Sequence, residues 1–332
     1  MTRETETTPL LRVSGLTKEF PVRRGLTGRT VHLRAVDDVT LSVDAGDTLA
    51  VVGESGCGKS TTARMIVGLT PPTRGAVEFE GADLATADRT VRRRARASMQ
   101  MVFQDPHSSL SPRMTAGEII AEPLRINGTE RAEARRRVGD LLERVGLRDS
   151  DRQRYAHEFS GGQRQRIGIA RALATSPRLL VLDEPVSALD VSVQAQVLNL
   201  LIELQGSLGL SYLLISHNIG VVRHVARRVA VMYLGSVVES GPTATVFARP
   251  SHPYTRALVD AVPVPDPSVR GVSEDRTGVA AELPDPLGAP SGCPFRTRCP
   301  RAQSLCETEK PALTQMAGAP GGSVACHFPL GA

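Results

Sequence analysis

The chain has 332 residues, 41% hydrophobic and 23% charged, which is enough for one large domain with an appendage or for two modest domains. No apolar run approaches the roughly 18 residues that span a membrane. The N-terminus also lacks the basic-then-apolar order of a signal peptide, so we expect any membrane association to be peripheral. A net charge of +5 with only 3% aromatic residues favours an Arg-rich solvated surface over a nucleic-acid-stacking one.

Residues 10–104 are predicted to form short strands that lead into a nucleotide-binding loop. The compact apolar run LAVVG at 49–53 is typical of a buried parallel strand. GESGCGKS at 53–60 follows, and it fits the phosphate-loop pattern G-x-x-x-x-G-K-[ST] ahead of a predicted helix at 61–69. The loop residues predicted to hold the phosphates of ATP are Gly53, Ser55, Gly56, Cys57, Gly58, Lys59, Ser60 and Thr61.

This loop has a direct chemical interpretation. Its glycines let successive N–H groups point at phosphate oxygens at the positive end of a helix. Lys59 would reach the β- and γ-phosphates, and the Ser60 hydroxyl would ligate Mg²⁺. Lys59 stands out because the chain has only three lysines among 40 basic residues. Cys57 is interpreted as a small filler and not as a nucleophile.

The middle of the chain predicts helices and then a parallel sheet. Residues 105–172 are polar and Arg/Glu-rich, with a helical pattern at 131–147. Two apolar strands with an amphipathic helix between them form a βαβ unit, at 179–183, 191–209 and 212–216. A hairpin turning near Gly235 follows at 228–241.

Two further sites accompany the loop. The strand at 179–183 ends in Asp183 and Glu184, where Asp183 would hold Mg²⁺ through a water and Glu184 would act as general base toward the attacking water. Upstream, a serine and two glycines open a predicted helix at about 162–174, which creates a second anion site.

The segment FSGGQ at 159–163 resembles the ABC ATPase signature LSGGQ, with Phe159 in place of leucine. The resemblance implies an α/β fold: a P-loop NTPase (RecA-like) core with an ABC β-subdomain and a helical subdomain, plus a small irregular Cys-rich C-terminal extension. The implied nucleotide-binding domain is 10–260, its helical subdomain about 105–172, and the linker and extension 261–332.

The resemblance also implies roles for single residues. Ser160, Gly161, Gly162 and Gln163 would clasp the γ-phosphate of ATP held by an opposite subunit. Phe20 would stack on adenine, Gln104 would sense Mg²⁺ and the attacking water, and Asp190 belongs to the segment that crosses the dimer interface. His217 would contact the γ-phosphate. Asn218 stands where the family usually has Asp, which puts a supporting interaction there in doubt.

Several stretches resemble the oligopeptide/dipeptide permease branch, among them 103–124, 183–201 and 251–267. The resemblance is to the second ATPase of a heteromeric pair on the cytoplasmic face of the membrane. Two transmembrane permease subunits and, indirectly, an extracellular solute-binding protein would be its partners, with no nucleic acid. Related importers carry nickel, glutathione or other small solutes. A soluble ABC ATPase acting on DNA or ribosomes and a non-hydrolysing subunit are the rival interpretations.

Four cysteines close the chain in the spacing C-x5-C-x6-C-x19-C, at Cys293, Cys299, Cys306 and Cys326. Thiolates of this number can hold a [4Fe-4S] cluster or Zn²⁺, and the peptide-importer relatives share such a tail. We expect the cluster ahead of zinc, with disulfides or free thiols as the remaining alternatives. His327 could substitute as a ligand, although a surface histidine is the simpler interpretation.

Overall fold

A computed structural model describes residues 8–24, 28–105, 109–262, 290–316 and 321–331. The strands are β1 (Leu11–Arg24), β2 (Arg29–Val43), β3 (Thr48–Val52), β4 (Arg74–Phe79), β5 (Ala82–Asp83), β6 (Met99–Val102), β7 (Leu179–Asp183), β8 (Ser211–Ser216), β9 (Arg228–Tyr233), β10 (Ser236–Pro242), β11 (Thr314–Gln315) and β12 (Ser323–Val324). The α-helices are α1 (Lys59–Ile66), α2 (Arg89–Ser98), α3 (Ala116–Ile126), α4 (Arg131–Arg144), α5 (Gly161–Leu173), α6 (Val191–Leu208), α7 (Ile219–Val225), α8 (Thr243–Ala248), α9 (Pro253–Asp260) and α10 (Leu305–Thr308). Short 3₁₀ turns lie at Asp149–Gln153 and Ala156–Glu158.

The main sheet runs in the order β11-β12-β10-β9-β3-β8-β7-β6. Its centre is parallel: β3 pairs with β8 and β9, and β7 pairs with β6 and β8. Every residue of β3, β7 and β8 is buried, as expected for strands covered on both faces. The predicted βαβ unit is therefore confirmed, and α6 is its crossover helix.

A second, antiparallel sheet in the order β2-β1-β4-β5 packs over the first helix. Its buried face includes Leu11, Val13 and Phe79, which share one hydrophobic cluster with Met65 and Ile66 of α1. The prediction of short strands before the loop was wrong in length, since β1 has 14 residues and β2 has 15. Because β1 and β2 pair along their length, both strands stay extended beyond the residues that are buried in the sheet.

The helices α3 to α5 pack on the other side of the core. The helix predicted at 131–147 ends at Arg144, and it buries Val138, Leu141 and Leu142 as its pattern required. The helix predicted at about 162–174 is α5. In the part of the chain that the structure describes, no helix is both long enough and apolar enough to cross a bilayer.

The end of the chain joins the main sheet. β12 pairs antiparallel with β10, Glu239 opposite Val324, and β11 pairs with β12. Phe295 is 1% exposed and belongs, with Cys293 and Cys306, to the main hydrophobic cluster. The predicted linker lies largely outside the described residues, because 263–289 are not described.

Candidate functional site: the nucleotide loop and its neighbours

The phosphate loop connects the end of β3 to the start of α1, as its pattern predicts. Gly58 has φ +103°, and a Cβ there would lie 2.3 Å from the backbone oxygen of Ala35, so only glycine fits. Gly58 is also the N-cap of α1 and makes no side-chain cap hydrogen bond. The first N–H groups of α1 can therefore serve an anion.

Lys59 is drawn inward over this loop. Its side chain is buried, and Nζ donates to the backbone oxygens of Gly53 and Glu54, each at 2.8 Å. Cys57 lies beside it, with Sγ 3.8 Å from Nζ. Burial raises the pKa of the Cys57 thiol, which keeps it protonated and agrees with its interpretation as a filler.

Of the three residues predicted at the Mg²⁺ site, Ser60, Gln104 and Asp183, the first and the last are in contact. Ser60 Oγ donates to Asp183 Oδ1 at 2.8 Å, although the residues lie 123 positions apart. Burial raises the pKa of Asp183, while the Ser60 hydrogen bond opposes that shift. A hydroxyl and a carboxylate are oxygen ligands of the kind Mg²⁺ takes, so this pair fits the ion.

Glu184 lies next to this pair and is held by two side chains. Gln104 Nε2 donates to Glu184 Oε2 at 2.8 Å, and His217 Nδ1 lies 3.1 Å from Oε1. The Glu184 backbone adopts φ +46°, a left-handed conformation that costs a non-glycine residue about 1–3 kcal/mol and is concentrated at functional sites. Three residues predicted to be catalytic are thus brought together from three strand ends.

The signature segment forms the beginning of α5. Ser160 is exposed and caps the helix: its side chain accepts from Gln163 N, and Gln163 Oε1 accepts from Ser160 N. Gly162 is buried against the start of α6, where an added Cβ would lie 2.3 Å from Val193 Cγ1. Asp190 is the exposed N-cap residue of the same helix, α6, three positions before Val193.

Two other predicted residues lie at the edges of the site. Phe20 projects from β1 and is 36% exposed, so its ring is not part of the core; Lys18 Nζ lies 5.1 Å from the ring centre. Asn218 caps α7, with Oδ1 accepting from Gly220 N at 2.8 Å and from Val221 N at 3.3 Å. Asparagine therefore supplies the capping hydrogen bonds that an Asp would supply there.

Two residues contact Glu54 of the loop, although no sequence motif predicted them to be there. Tyr254 on α9 accepts a hydrogen bond from the Glu54 N–H at 2.9 Å. Arg298, from the C-terminal extension, donates to both Glu54 carboxylate oxygens at 2.8 and 2.9 Å. Tyr254 stands in the permease-like stretch 251–267, but neither residue carries a motif that points to the loop.

The four tail cysteines are buried or half-buried. Burial raises the pKa of the Cys293 thiol, and the other three cysteines raise it further. Cys293 N also donates to the Cys306 backbone oxygen at 2.8 Å. Even so, among the described residues no group of three or more Cys, His, Asp or Glu side chains is arranged to hold a metal ion. His327 Nε2 instead lies 2.9 Å from the Glu309 backbone oxygen.

Two family models match the chain. The ABC transporter model matches residues 36–187, which include the phosphate loop, the signature and Glu184. The model of the oligopeptide/dipeptide transporter C-terminal region matches residues 238–306. The second match begins within β10 and ends at the third tail cysteine, Cys306.

Relatives and solved structures agree with both matches. A probable peptide ABC transporter ATP-binding protein of Sinorhizobium fredii is 51% identical over 96% of this chain and 89% of its own. A dipeptide transport ATP-binding protein of Haemophilus influenzae is 48% identical over 95% and 96%. The dimeric post-hydrolysis structure of an ATP-binding cassette with ADP and Pi has a TM-score of 0.62 and 28% identity, covering 70% of this chain and 98% of that one. The chain therefore belongs to the ABC transporter ATP-binding proteins and carries the C-terminal region of the oligopeptide/dipeptide transporters.

Proposed function

We propose that this chain is the ATP-hydrolysing subunit of an ABC importer for oligopeptides or dipeptides. The observation that carries the proposal is the position of Glu184, fixed by Gln104 and His217 directly beside the Ser60–Asp183 pair. A carboxylate held at both oxygens next to a Mg²⁺-type site is suited to orient and deprotonate a water.

Each residue of the site has a task in this proposal. Lys59 would exchange its two loop carbonyls for the β- and γ-phosphate oxygens, and Ser60 and Asp183 would hold Mg²⁺, which would neutralise charge on the phosphates. Glu184 accepts a proton from the attacking water. Gln104 orients the water, and His217 supports the γ-phosphate. Phe20 supplies an exposed ring for the adenine.

The second half-site supports a paired assembly. Ser160 faces solvent, and Gly162 contacts the start of α6 instead of the chain's own phosphate loop. An exposed serine at a helix N-terminus can serve the ATP of a second subunit. A similar cassette has been solved as a dimer. We propose a homologous second ATPase as partner, with two permease subunits at the cytoplasmic face of the membrane and an extracellular binding protein that delivers the solute.

The peptide cargo is the finer part of the proposal. Its support is the C-terminal match over 238–306 and the peptide and dipeptide names of relatives near 50% identity. Import of nickel, glutathione or another small solute is the alternative, because the motifs of the ATP site concern the nucleotide and do not specify the cargo. A DNA- or ribosome-acting ATPase would lack permease partners.

The test is uptake by cells that keep the permease partners and carry variants of this chain in place of the wild type. Glu184→Gln should abolish uptake of labelled di- and oligopeptides, because removing a general base costs about 10²- to 10⁴-fold in rate. The matched control is Glu133→Gln on the exposed face of α4, which should transport normally. Unchanged peptide uptake in the Glu184→Gln cells would overturn the catalytic assignment. Wild-type uptake of nickel or glutathione in place of peptides would overturn the cargo.

The ligand of the tail cysteines belongs to the same proposal. We propose that Cys293, Cys299, Cys306 and Cys326 hold a [4Fe-4S] cluster, or else Zn²⁺. Their number supports this, as does the match of the C-terminal region over the first three of them; the four thiols do not form a ligand set as they stand. Iron, sulfide and zinc analysis after anaerobic purification decides between the two. If the analysis finds neither metal, free thiols or disulfides remain as the alternative.

A further inference from the structure

Arg298 joins the C-terminal extension to the phosphate loop. Its two terminal nitrogens donate to Glu54 Oε1 and Oε2 at 2.9 and 2.8 Å, a forked geometry that fixes the carboxylate in one plane. Glu54 is the second residue of the loop that ends at Lys59 and Ser60. The two residues lie 244 positions apart, so the contact links the two ends of the fold.

The ion pair is shielded from solvent. The Arg298 side chain is only 6% exposed and that of Glu54 26%. Arg298 lies over the rings of Tyr233 and Phe295, with its guanidinium carbon 5.7 and 6.0 Å from their centres. Phe295, Tyr233 and Tyr254 pack together with centroid separations of 4.6 to 5.4 Å. A forked pair within such a setting is screened little by salt or water.

Two residues hold Glu54 of the loop, one at its backbone and one at its side chain. Tyr254 accepts the backbone N–H of Glu54, while Arg298 holds its side chain. The Glu54 carbonyl oxygen in turn accepts from Lys59 Nζ at 2.8 Å. Any rotation of the Glu54 peptide would therefore move a carbonyl that holds Lys59 in the loop before the nucleotide binds.

Arg298 itself has a fixed position. It lies in a series of turns in which Arg298 N donates to Phe295 O at 3.0 Å, and Phe295 is buried in the main core. The extension is fastened separately by the β12–β10 pairing and by Lys310, whose Nζ contacts Asp37 and Ser236. Losing the Arg298 contact would thus leave the extension attached to the core.

We propose that Arg298 is a positioning residue for ATP binding: through Glu54 it holds the phosphate loop in the conformation that accepts the nucleotide phosphates. The C-terminal extension then sets the affinity of the ATP site. The proposal rests on the ATP site described above. Preorganised donors bind an anion more tightly because the ordering cost is met before the ligand arrives.

The first experiment measures Mg-ATP binding by the full-length chain and Mg-ATP turnover by the assembled complex that contains it. Arg298→Gln should raise Kd and KM by about tenfold to a hundredfold, the range expected for losing hydrogen bonds to a charged group. The value of kcat at saturating ATP should change little, because Glu184, Gln104 and His217 are untouched. Arg298→Lys should recover part of the affinity, since a lysine keeps one charged contact without the fork.

The matched control is Lys310→Gln. It removes another contact of the extension, made with Asp37 and not with a residue of the phosphate loop. It should leave KM unchanged. Equal increases in KM for Lys310→Gln and Arg298→Gln would overturn the proposal, because the effect would then follow from docking of the extension as a whole. An unchanged KM in Arg298→Gln would also overturn it.

A double-mutant cycle tests whether Arg298 affects ATP binding through Glu54. If Arg298 acts through Glu54, Glu54→Gln and the double variant should show the same loss of ATP affinity as Arg298→Gln alone. Additive losses would mean that the two residues act separately and would overturn the proposal. Circular dichroism on each variant checks folding, and Glu54→Gln keeps the test open if Arg298→Gln does not fold. A wild-type chain that binds no ATP would refute the proposed function instead.

Discussion

The first helix turn after the signature serine offers a sharp test of packing at this site. At Gly162 an added Cβ would lie 2.3 Å from Val193 Cγ1, and valine in a helix has little freedom to rotate away. At Gly168, two turns further along the same helix and also buried, the added Cβ would meet no atom within 4 Å. Substitution by alanine should therefore change the free energy of unfolding in opposite directions at the two positions.

The magnitudes follow from the two terms involved. Alanine gains about 0.5–1 kcal/mol over glycine in a helix, whereas overpacking costs about 1–3 kcal/mol. Gly168→Ala should thus raise the free energy of unfolding by about 0.5–1 kcal/mol. Gly162→Ala should lower it by about 1–2 kcal/mol, a fall of about 1.5–3 °C in Tm for a chain of this length.

Scanning calorimetry of the nucleotide-free chain measures both changes. Placing Gly162→Ala in a Val193→Ala background removes the clashing methyl, so there the same substitution should become neutral or stabilising. Destabilisation by Gly162→Ala that persists in the Val193→Ala background would refute the steric explanation.

Three further predictions address the site and its surroundings. Ser160→Arg should leave nucleotide binding by the isolated chain nearly intact and stop hydrolysis in the assembled complex; equal loss in the isolated chain would mean that the serine serves its own pocket. Phe20→Ala should weaken ATP binding by about tenfold at unchanged Tm, while Phe20→Tyr should bind normally, as measured with a fluorescent ATP analogue. Burial lowers the pKa of His252 to about 4, so the unfolded chain binds more protons between that value and about 6.5, and stability should fall as the pH drops through this window by up to about 3 kcal/mol. His252→Asn, which keeps an acceptor for the Tyr254 N–H, should flatten that part of the pH–stability curve; an unaltered slope would assign the titration to other groups.

Local pattern was sufficient for the nucleotide site. The runs at 49–53, 179–183 and 212–216 are continuous and apolar, and such runs form buried parallel strands whose carboxyl ends meet at one edge. Lys59, Asp183 and His217 each follow one of these strands or end it, so their proximity could be predicted from their positions alone. The lengths of β1 and β2 could not, because mixed polar sequences become extended only through pairing with each other.

The contacts of the extension could not be predicted in the same way. Arg298 is one of many arginines in the chain, and nothing in its neighbours indicates a partner 244 positions away. No sequence motif links the tail to the phosphate loop. The structure instead places Arg298 against Glu54, since Phe295 and the pairing of β12 bring the tail back onto the core.

The position of β12 has a consequence for the synthesis of the chain. β10 is the outermost core strand on its side of the main sheet until residues 323–324 arrive to pair with Glu239 and Ser240. On the ribosome, the ATP-binding core therefore emerges with an open sheet edge, the kind of surface that captures strands from other nascent chains. A chain truncated shortly after 262 would keep every ATP motif and leave that edge unprotected.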